Sequence, residues 1–415
     1  MAILRFRSAC LTGFFVVAFG LTFGFSSNPS LGFQEVRRDG LSKSNPRDAV
    51  VRFASFNVSL NRKNEGQLKQ ELAQGKSIHA QRVAEIIQRV RPDVILLCEF
   101  DFDSGGEGIA NFTSNYLAVS QNGQDPIEYK HIFFQSVNTG IDSGKDLNQD
   151  GKLATANDAF GFGTFPGQYG MVVLSNYEID RSNVRTFQKF LWKDMPNFLW
   201  PQKPGSPEPY YDDEIKKVFR LSSKSHWDIP IRIGNKTIHF LTAHPTPPVF
   251  DGEEDRNGRR NHDEIRLFAD YVTPGKSDYI YDDSGTTGGL AQGADFVIAG
   301  DMNADPHDGD STLNAAKLLT EHPLINHSNA PKSKGGEFQA RKQGKSNLNH
   351  RGDPALDTGD FNDSSVGNLR IDYCLPSATL QLKQSGVFWP LPDQPGAELV
   401  EASDHRLVWI DIVKE

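Results

Sequence analysis

Short apolar runs of strand character recur along this chain, and a polar or charged residue stands at the end of most of them. RFASFN ends on Asn57, DVILLCE on Glu99 and HFLTAH on His244. FVIAGDMN ends on Asp301 and Asn303, Asp372 sits inside LRIDYCL, and Asp404 and His405 precede RLVWIDI. No other feature constrains the fold as much. The runs are rich in Val, Ile and Phe and are bounded by Gly, Pro, Asn or Asp, which is strand-and-turn chemistry. Strands can converge at one edge of a sheet, so residues far apart in sequence become neighbours there.

The pattern predicts strands at Val50–Val58, Asp93–Cys98, Met171–Ser175, Ile229–Ile233, Ile238–Thr242, Phe296–Ala299, Leu369–Leu375 and Leu407–Val413. Helical periodicity appears at His79–Val90, where apolar residues at 83, 86, 87 and 90 share one face and Pro92 stops the helix. His262–Val272 and Ser311–Leu319 are the further helical patterns. Strands outnumber helices, and helices do not follow every strand. Stacked sheets with α layers fit that mixture better than a doubly wound sheet or a barrel. The long polar segments 100–165, 182–226, 250–294 and 328–368 read as insertions on the loops of one domain.

The N-terminus reads as a targeting segment. Arg5 and Arg7 precede an apolar run, Leu11–Phe25, of signal-peptide length and short for a membrane span. Residues 1–27 are therefore expected to be a signal peptide and 28–48 a polar linker, with a folded domain over 49–415. An uncleaved anchor is the rival reading; either way the chain is exported, to the periplasm or beyond. Net charge is −9, so broad nonspecific nucleic-acid binding is disfavoured while a local basic groove stays open. Beyond the signal only Cys98 and Cys374 remain, expected as buried free thiols, with a single bridge between them as the alternative.

The strand-end residues are of types that bind a hard cation or move protons. Mg²⁺ prefers carboxylate and amide oxygens, which Glu99, Asn57 and Asp404 can supply. A phosphodiester needs its developing charge neutralised, a role for protonated His405 and His244. Asp372 can hold His405 in one tautomer and raise its pKa by opposite charge. Asp301 can orient or deprotonate a water, with Asn303 on the phosphoryl oxygen. Being two apart, Asp301 and Asn303 would point the same way on an extended backbone. These types together indicate metal-assisted hydrolysis of phosphate esters.

The ordered set FNVS, LLCEF, GQYGMVVLS, LTAHPTP, AGDMNADP, RIDY and SDHRLV resembles the endonuclease/exonuclease/phosphatase family. Its members include pancreatic-type deoxyribonucleases, abasic-site endonucleases, sphingomyelinases and inositol polyphosphate phosphatases. The resemblance implies an α/β fold, a four-layer α/β sandwich of two mixed β-sheets packed face to face with helices outside. It implies a divalent cation, Mg²⁺ or Mn²⁺, and direct attack of water on phosphorus. It carries the metal Glu to Glu99, the N-terminal Asn to Asn57, and the Asp-x-Asn pair to Asp301 and Asn303. It carries the terminal Asp-His pair to Asp404 and His405, the paired carboxylate to Asp372, and the mid-chain His to His244. Tyr169 falls near the active face. The substrate, whether nucleic acid, nucleotide, phospholipid or small phosphoester, stays open, and a monomer is expected. The alternative is a catalytically idle binding or adhesion module on the same fold.

Three local features are weighed separately. The segment after His244 adds Arg256, Arg259, Arg260 and His262, either a solvated loop or a phosphate clamp. Asp305, His307, Asp308 and Asp310 read as a polar cap before a second cation site. DLNQDG places Asp146, Asn148 and Asp150 in the spacing of a Ca²⁺ loop, with Gly151 at its turn. A structural Ca²⁺ and a plain surface turn are equal expectations there, because no Glu closes the loop.

Overall fold

A computed structural model describes residues 49–414. The signal peptide expected over 1–27 and the linker over 28–48 lie outside the described residues. In chain order the first strands are β1 (Val50–Asn57), β2 (Val94–Cys98), β3 (His131–Phe133) and β4 (Met171–Ser175). Then come β5 (Glu178–Ile179), β6 (Arg185–Thr186), β7 (His226–Ile233), β8 (Lys236–Ala243) and β9 (Asp295–Asp301). A short ribbon, β10 (Gly359–Asp360) with β11 (Asn368–Leu369), precedes β12 (Asp372–Pro376), β13 (Leu382–Val387) and β14 (Val408–Val413).

One sheet runs β13-β14-β1-β2-β4-β3 and the other β12-β9-β8-β7-β5, with β6 added on β7. Both are mixed. β1 and β2 are parallel, as are β8 and β9, while β14 and β12 run antiparallel to their neighbours β1 and β9. This explains the positions of the polar residues in the sequence. A residue on the shared edge must follow β1, β2, β8 or β9 but must precede or open β12 or β14. Asn57, Glu99, His244 and Asp301 follow that rule at strand C-termini; Asp372 and His405 follow it at N-termini.

Three cores make four layers. Between the sheets lie Phe53, Leu96, Trp227, Phe240 and Val297. Outside the first sheet, α1 (Gln67–Ala73), α2 (Ile78–Val90) and α3 (Glu107–Phe112) bury Leu68, Val83, Ile87 and Ile109. Ser77 Oγ accepts the Ala80 N–H to start α2, and Arg91 stops it at φ +53°. Outside the second sheet, α4 (Asp213–Lys216) and α5 (Arg256–Tyr271) bury Ile215, Ile265 and Phe268. The expected four-layer sandwich is therefore present, with free, buried Cys98 and Cys374.

Some elements differ from expectation. α5 begins at Arg256 rather than His262, so the basic segment is a helix turn and not a loop. Ser311–Leu319 is not one helix: Leu313 at φ +52° splits it into a tight turn and α6 (Lys317–Thr320). LRIDYCL is interrupted between β11 and β12. Apart from these departures, the aromatic segment 187–200 packs inward: Phe187, Phe190 and Trp192 are buried, and Trp192 Nε1 donates to Asp263 Oδ2 at 2.7 Å.

Candidate active site

Asn57 links the two sheets at this edge. Its Nδ2 donates to Glu99 Oε1 at 3.0 Å and to Asp301 Oδ2 at 3.1 Å. Its Oδ1 accepts the Ser59 N–H. The expectation that Asn57 offers an oxygen to a metal is thus corrected: the amide nitrogen faces the carboxylates, because two acceptors need a donor between them. Glu99 Oε2 accepts from Asn61 Nδ2 at 2.8 Å, a contact the sequence reading missed. Its only signal was a second Asn shortly after the β1 end. Glu99, Tyr169 and Asn303 all sit at positive φ, +59°, +56° and +52°. Left-handed backbone costs a non-glycine residue about 1–3 kcal/mol and clusters where a site dictates it.

Asp301 Oδ2 is the meeting point. It lies 3.4 Å from His244 Nε2 and 3.7 Å from His405 Nε2. The other nitrogen of His405, Nδ1, is 2.9 Å from Asp372 Oδ2. Thr358 Oγ1 accepts the N–H groups of Ile371 and Asp372, fixing the start of β12. Ser403 Oγ donates to Asn57 O and accepts the His405 N–H, tying the last loop to the end of β1. The Phe361 ring stands edge-on to His405 with centroids 5.6 Å apart. Asn303 arrives differently from expectation. The strand ends at Asp301, and Asn303 turns left-handed, its N–H on Asp301 Oδ1 and its Nδ2 on Pro245 O.

The electrostatics separate these groups. Burial works against charge on His405, but Asp372 and Asp301 outweigh it and hold its pKa up at about 10. Burial, then the Asp372 charge, pushes Asp301 up to about 6, against the pull of His405 and the Asn57 hydrogen bond. Burial also raises Glu99. His244 departs from its expected protonated state: burial first, then Lys224 and His405, hold its pKa well below the ordinary value. It stands as a neutral imidazole.

Around these groups opens a cavity of about 800 Å³. Tyr169, Asn303, Asp404 and Arg256 line it, as expected for residues near the site. Asp404 is at its rim, 54% exposed and 4.0 Å from His405 Nε2. Arg256 is paired with Glu254, and Arg259 faces Asp255 at 3.8 Å outside the cavity lining, so neither is an open phosphate clamp. Arg260 is buried and donates to the carbonyls of Leu221, Phe160 and Arg220. Lys224, unremarked in the sequence, lines the cavity beside Glu99 and His244. Nothing but its place just before β7 distinguished it.

Asp305 departs from the expected helix cap: among the described residues no helix starts there, and it holds a turn instead. Its Oδ1 accepts the His307 and Asp308 N–H groups and its Oδ2 the Arg370 N–H. In the calcium-like loop, Asp146 accepts the Asp150 and Gly151 N–H groups, and Asp150 accepts from Lys152 N–H and Asn148 Nδ2. Asp158, where a closing ligand would stand, is spent on the Leu147 and Thr155 N–H groups. The carboxylates of that loop are thus engaged by its own backbone, while Asn148 Oδ1 is buried without a partner among the described residues.

Among the described residues, ligand atoms of Asp301, Asp372 and His405 lie within 4.8 Å of one another. Those atoms already hydrogen-bond or face one another around a charged imidazole. Glu99 is the better cation donor: it is buried and, among the described residues, bonded to two neutral amides with no cationic partner within hydrogen-bond reach. A carboxylate so placed suits a hard divalent ion.

A model of the Endonuclease/Exonuclease/phosphatase family matches residues 54–405. Similar solved structures include an endonuclease/exonuclease/phosphatase from Beutenbergia cavernae DSM 12333, 16% identical, covering 88% of this chain and 72% of that one at TM-score 0.48. A mannosyl-6-phosphatase from Bacteroides thetaiotaomicron VPI-5482 is 11% identical, covering 88% and 100% at TM-score 0.42. A beta toxin from Staphylococcus aureus is 14% identical, covering 87% and 99% at TM-score 0.40. No curated protein matches the chain.

Proposed function

Because this chain belongs to the endonuclease/exonuclease/phosphatase family, we propose that it is an exported hydrolase of phosphate esters in which water attacks phosphorus directly. The observation that carries the reading is the chain of contacts Asp372–His405–Asp301, at 2.9 and 3.7 Å, ending beside Glu99. Asp301, near neutral pKa, is the base that takes the proton of the attacking water. His405, kept charged by Asp372, donates from Nε2 to a phosphoryl oxygen. Neutral His244 positions water or phosphate against Asp301 Oδ2. Asn57 keeps Glu99 and Asp301 apart by giving each an N–H. Glu99, with Asp404 at the rim, would hold Mg²⁺ or Mn²⁺, which supplies charge neutralisation at the phosphoryl group when bound. Export rests on the basic and apolar segment at the N-terminus.

The test is hydrolysis of a panel containing DNA, a phosphodiester, a phosphomonoester and sphingomyelin, each with Mg²⁺, Mn²⁺, Ca²⁺ or chelator. Cation-dependent turnover that falls in Asp301→Ala and His405→Ala supports the reading. Turnover indifferent to chelator, or intact in both variants, sinks it.

A further inference from the structure

The lining of the cavity over the site holds two unlike sets of residues, and together they describe a substrate. In one set is Lys224, only 7% exposed, its ammonium turned to the cavity. Among the described residues it has no hydrogen-bond or ion-pair partner. The carboxylates that act on it are Glu264, Glu99 and Asp301. Glu264 is already spent on the Ser223 and Thr246 N–H groups, and Glu99 and Asp301 on Asn57. The residue is buried but its ammonium is not among the enclosed polar atoms, so it meets the cavity's solvent and is free to take an anion from outside. The other cavity cations are taken: Arg256 by Glu254 and the Phe250 carbonyl, Arg260 by backbone carbonyls. Beside the His405 imidazolium, which already faces Asp301 and Asp372, Lys224 is the cavity cation left open among the described residues, and the two together suit one phosphate.

Another part of the lining is apolar. Phe162, Pro247, Pro248, Val249 and Phe250 line it, and Phe162 and Phe250 are 56% and 85% exposed. Phe250 sits at φ +66°, a strained backbone for an aromatic residue, with its carbonyl held by Arg256 Nη2 at 3.2 Å. A large ring held out in water by a paired side chain is arranged for an apolar contact that the described residues do not supply. The rim adds Asp308, Asp310 and Asp404, which repel a polyanion.

We propose that the substrate carries a single phosphate and one bulky apolar substituent, with the phosphate on Lys224 beside Glu99 and the substituent along Phe162, Pro248 and Phe250. This rests on the phosphoesterase reading and narrows it away from nucleic acids.

The experiment uses the full chain with Mg²⁺ and three probes: methyl 4-nitrophenyl phosphate, octyl 4-nitrophenyl phosphate below its micelle concentration, and single-stranded DNA. The octyl ester is expected to exceed the methyl ester in kcat/KM by roughly tenfold or more, a conservative share of the transfer energy of its extra methylenes. Phe250→Ala and Phe162→Ala are each expected to cut that ratio severalfold. Lys224→Met is expected to raise the inhibition constant of inorganic phosphate roughly tenfold, the scale of a lost charge-assisted contact, with Lys224→Arg recovering part of it. A methyl ester as good as the octyl ester, a preference for DNA, or phosphate inhibition unchanged in folded Lys224→Met overturns the proposal. In the first two of those outcomes the chain is still a phosphoesterase, so that reading survives. No turnover of these probes, nor of a phosphomonoester or sphingomyelin, with Mg²⁺, Mn²⁺ or Ca²⁺ removes both.

Discussion

The imidazole of His405 hydrogen-bonds through Nδ1 to Asp372 Oδ2 at 2.9 Å, joining the start of β12 in one sheet to the segment that leads into β14 of the other. Asp372 opens β12 opposite Asp301, while His405 precedes β14. One hydrogen bond therefore fixes the ring across the seam of the sandwich and leaves Nε2 facing Asp301. Packing of the two sheets and the protonation of His405 are coupled: sliding one sheet on the other would break the bond that keeps the ring charged.

Asp372→Asn tests that coupling. The amide keeps an acceptor near Nδ1 but removes the charge, so the His405 pKa should fall from about 10 toward its ordinary 6.5. Loss of a positioned acid at neutral pH costs about 10²- to 10⁴-fold in rate. The alkaline limb of kcat/KM should move to lower pH, measured from pH 6 to 11. Stability follows the same sign. A raised histidine pKa stabilises the fold fully below 6.5 and loses that contribution as pH rises through about 10. The gap in Tm between wild type and Asp372→Asn should therefore close at high pH. An alkaline limb that stays in place would show that Asp372 does not control the ring.

Asp301 sets the acid side. Its pKa, raised by burial to about 6, leaves it a base only when deprotonated, so activity should fall as pH drops through that value. A bound cation favours the carboxylate and draws the limb lower still, so saturating Mg²⁺ should shift it toward acid. Asp301→Asn should lose about 10²- to 10⁴-fold and show no acid limb of its own. A pH–rate series at two Mg²⁺ concentrations reads both effects.

Glu99→Gln separates cation binding from folding. Wild-type Glu99 is raised by burial, and a raised carboxyl pKa means that stability falls as pH climbs through it. Without metal the amide variant should be at least as stable as wild type above neutral pH. With Mg²⁺ the order should reverse, because a ligand that binds only the folded state adds to stability and the variant has lost its main donor. Melting curves in chelator and in excess Mg²⁺ give the comparison, and calorimetry should show weakened Mg²⁺ binding. A variant that gains as much from Mg²⁺ as wild type places the cation elsewhere.

The sandwich was legible because strand direction writes itself into the sequence. Asn57, Glu99 and Asp301 follow apolar runs, while Asp372 and His405 open or precede them, and that asymmetry is what parallel and antiparallel neighbours require. Residues whose role depends on what lies across the cavity were not legible. Lys224 looked like any polar residue before a strand, and Asn61 like any loop amide. Arg256 and Arg259 looked like a clamp because charge is visible in sequence while pairing with Glu254 and Asp255 depends on helix geometry. The calcium-like loop had the right spacing, yet its carboxylates close on their own backbone. The charge state of His244 depended on burial beside Lys224, which no local pattern encodes.

Gly300 gives the last prediction, and it explains the Gly in GDMN. A Cβ built there would stand 1.9 Å from Ala243 O on the neighbouring strand β8. Backbone cannot yield as a flexible side chain can, so Gly300→Ala must push β9 away from β8. Overpacking of this kind typically costs about 1–3 kcal/mol. The displacement falls next to Asp301, whose Oδ2 sits within hydrogen-bond reach of Asn57 and close to His244 and His405. Activity should therefore fall by more than the fraction unfolded accounts for, since displacing a positioned group by about 1 Å costs roughly 10²-fold. Denaturant melts and kcat measured on the folded fraction distinguish the two losses. A Gly300→Ala protein with wild-type stability would mean that the strands have slack at this point; one that is destabilised yet fully active would mean that Asp301 does not need its place on β9.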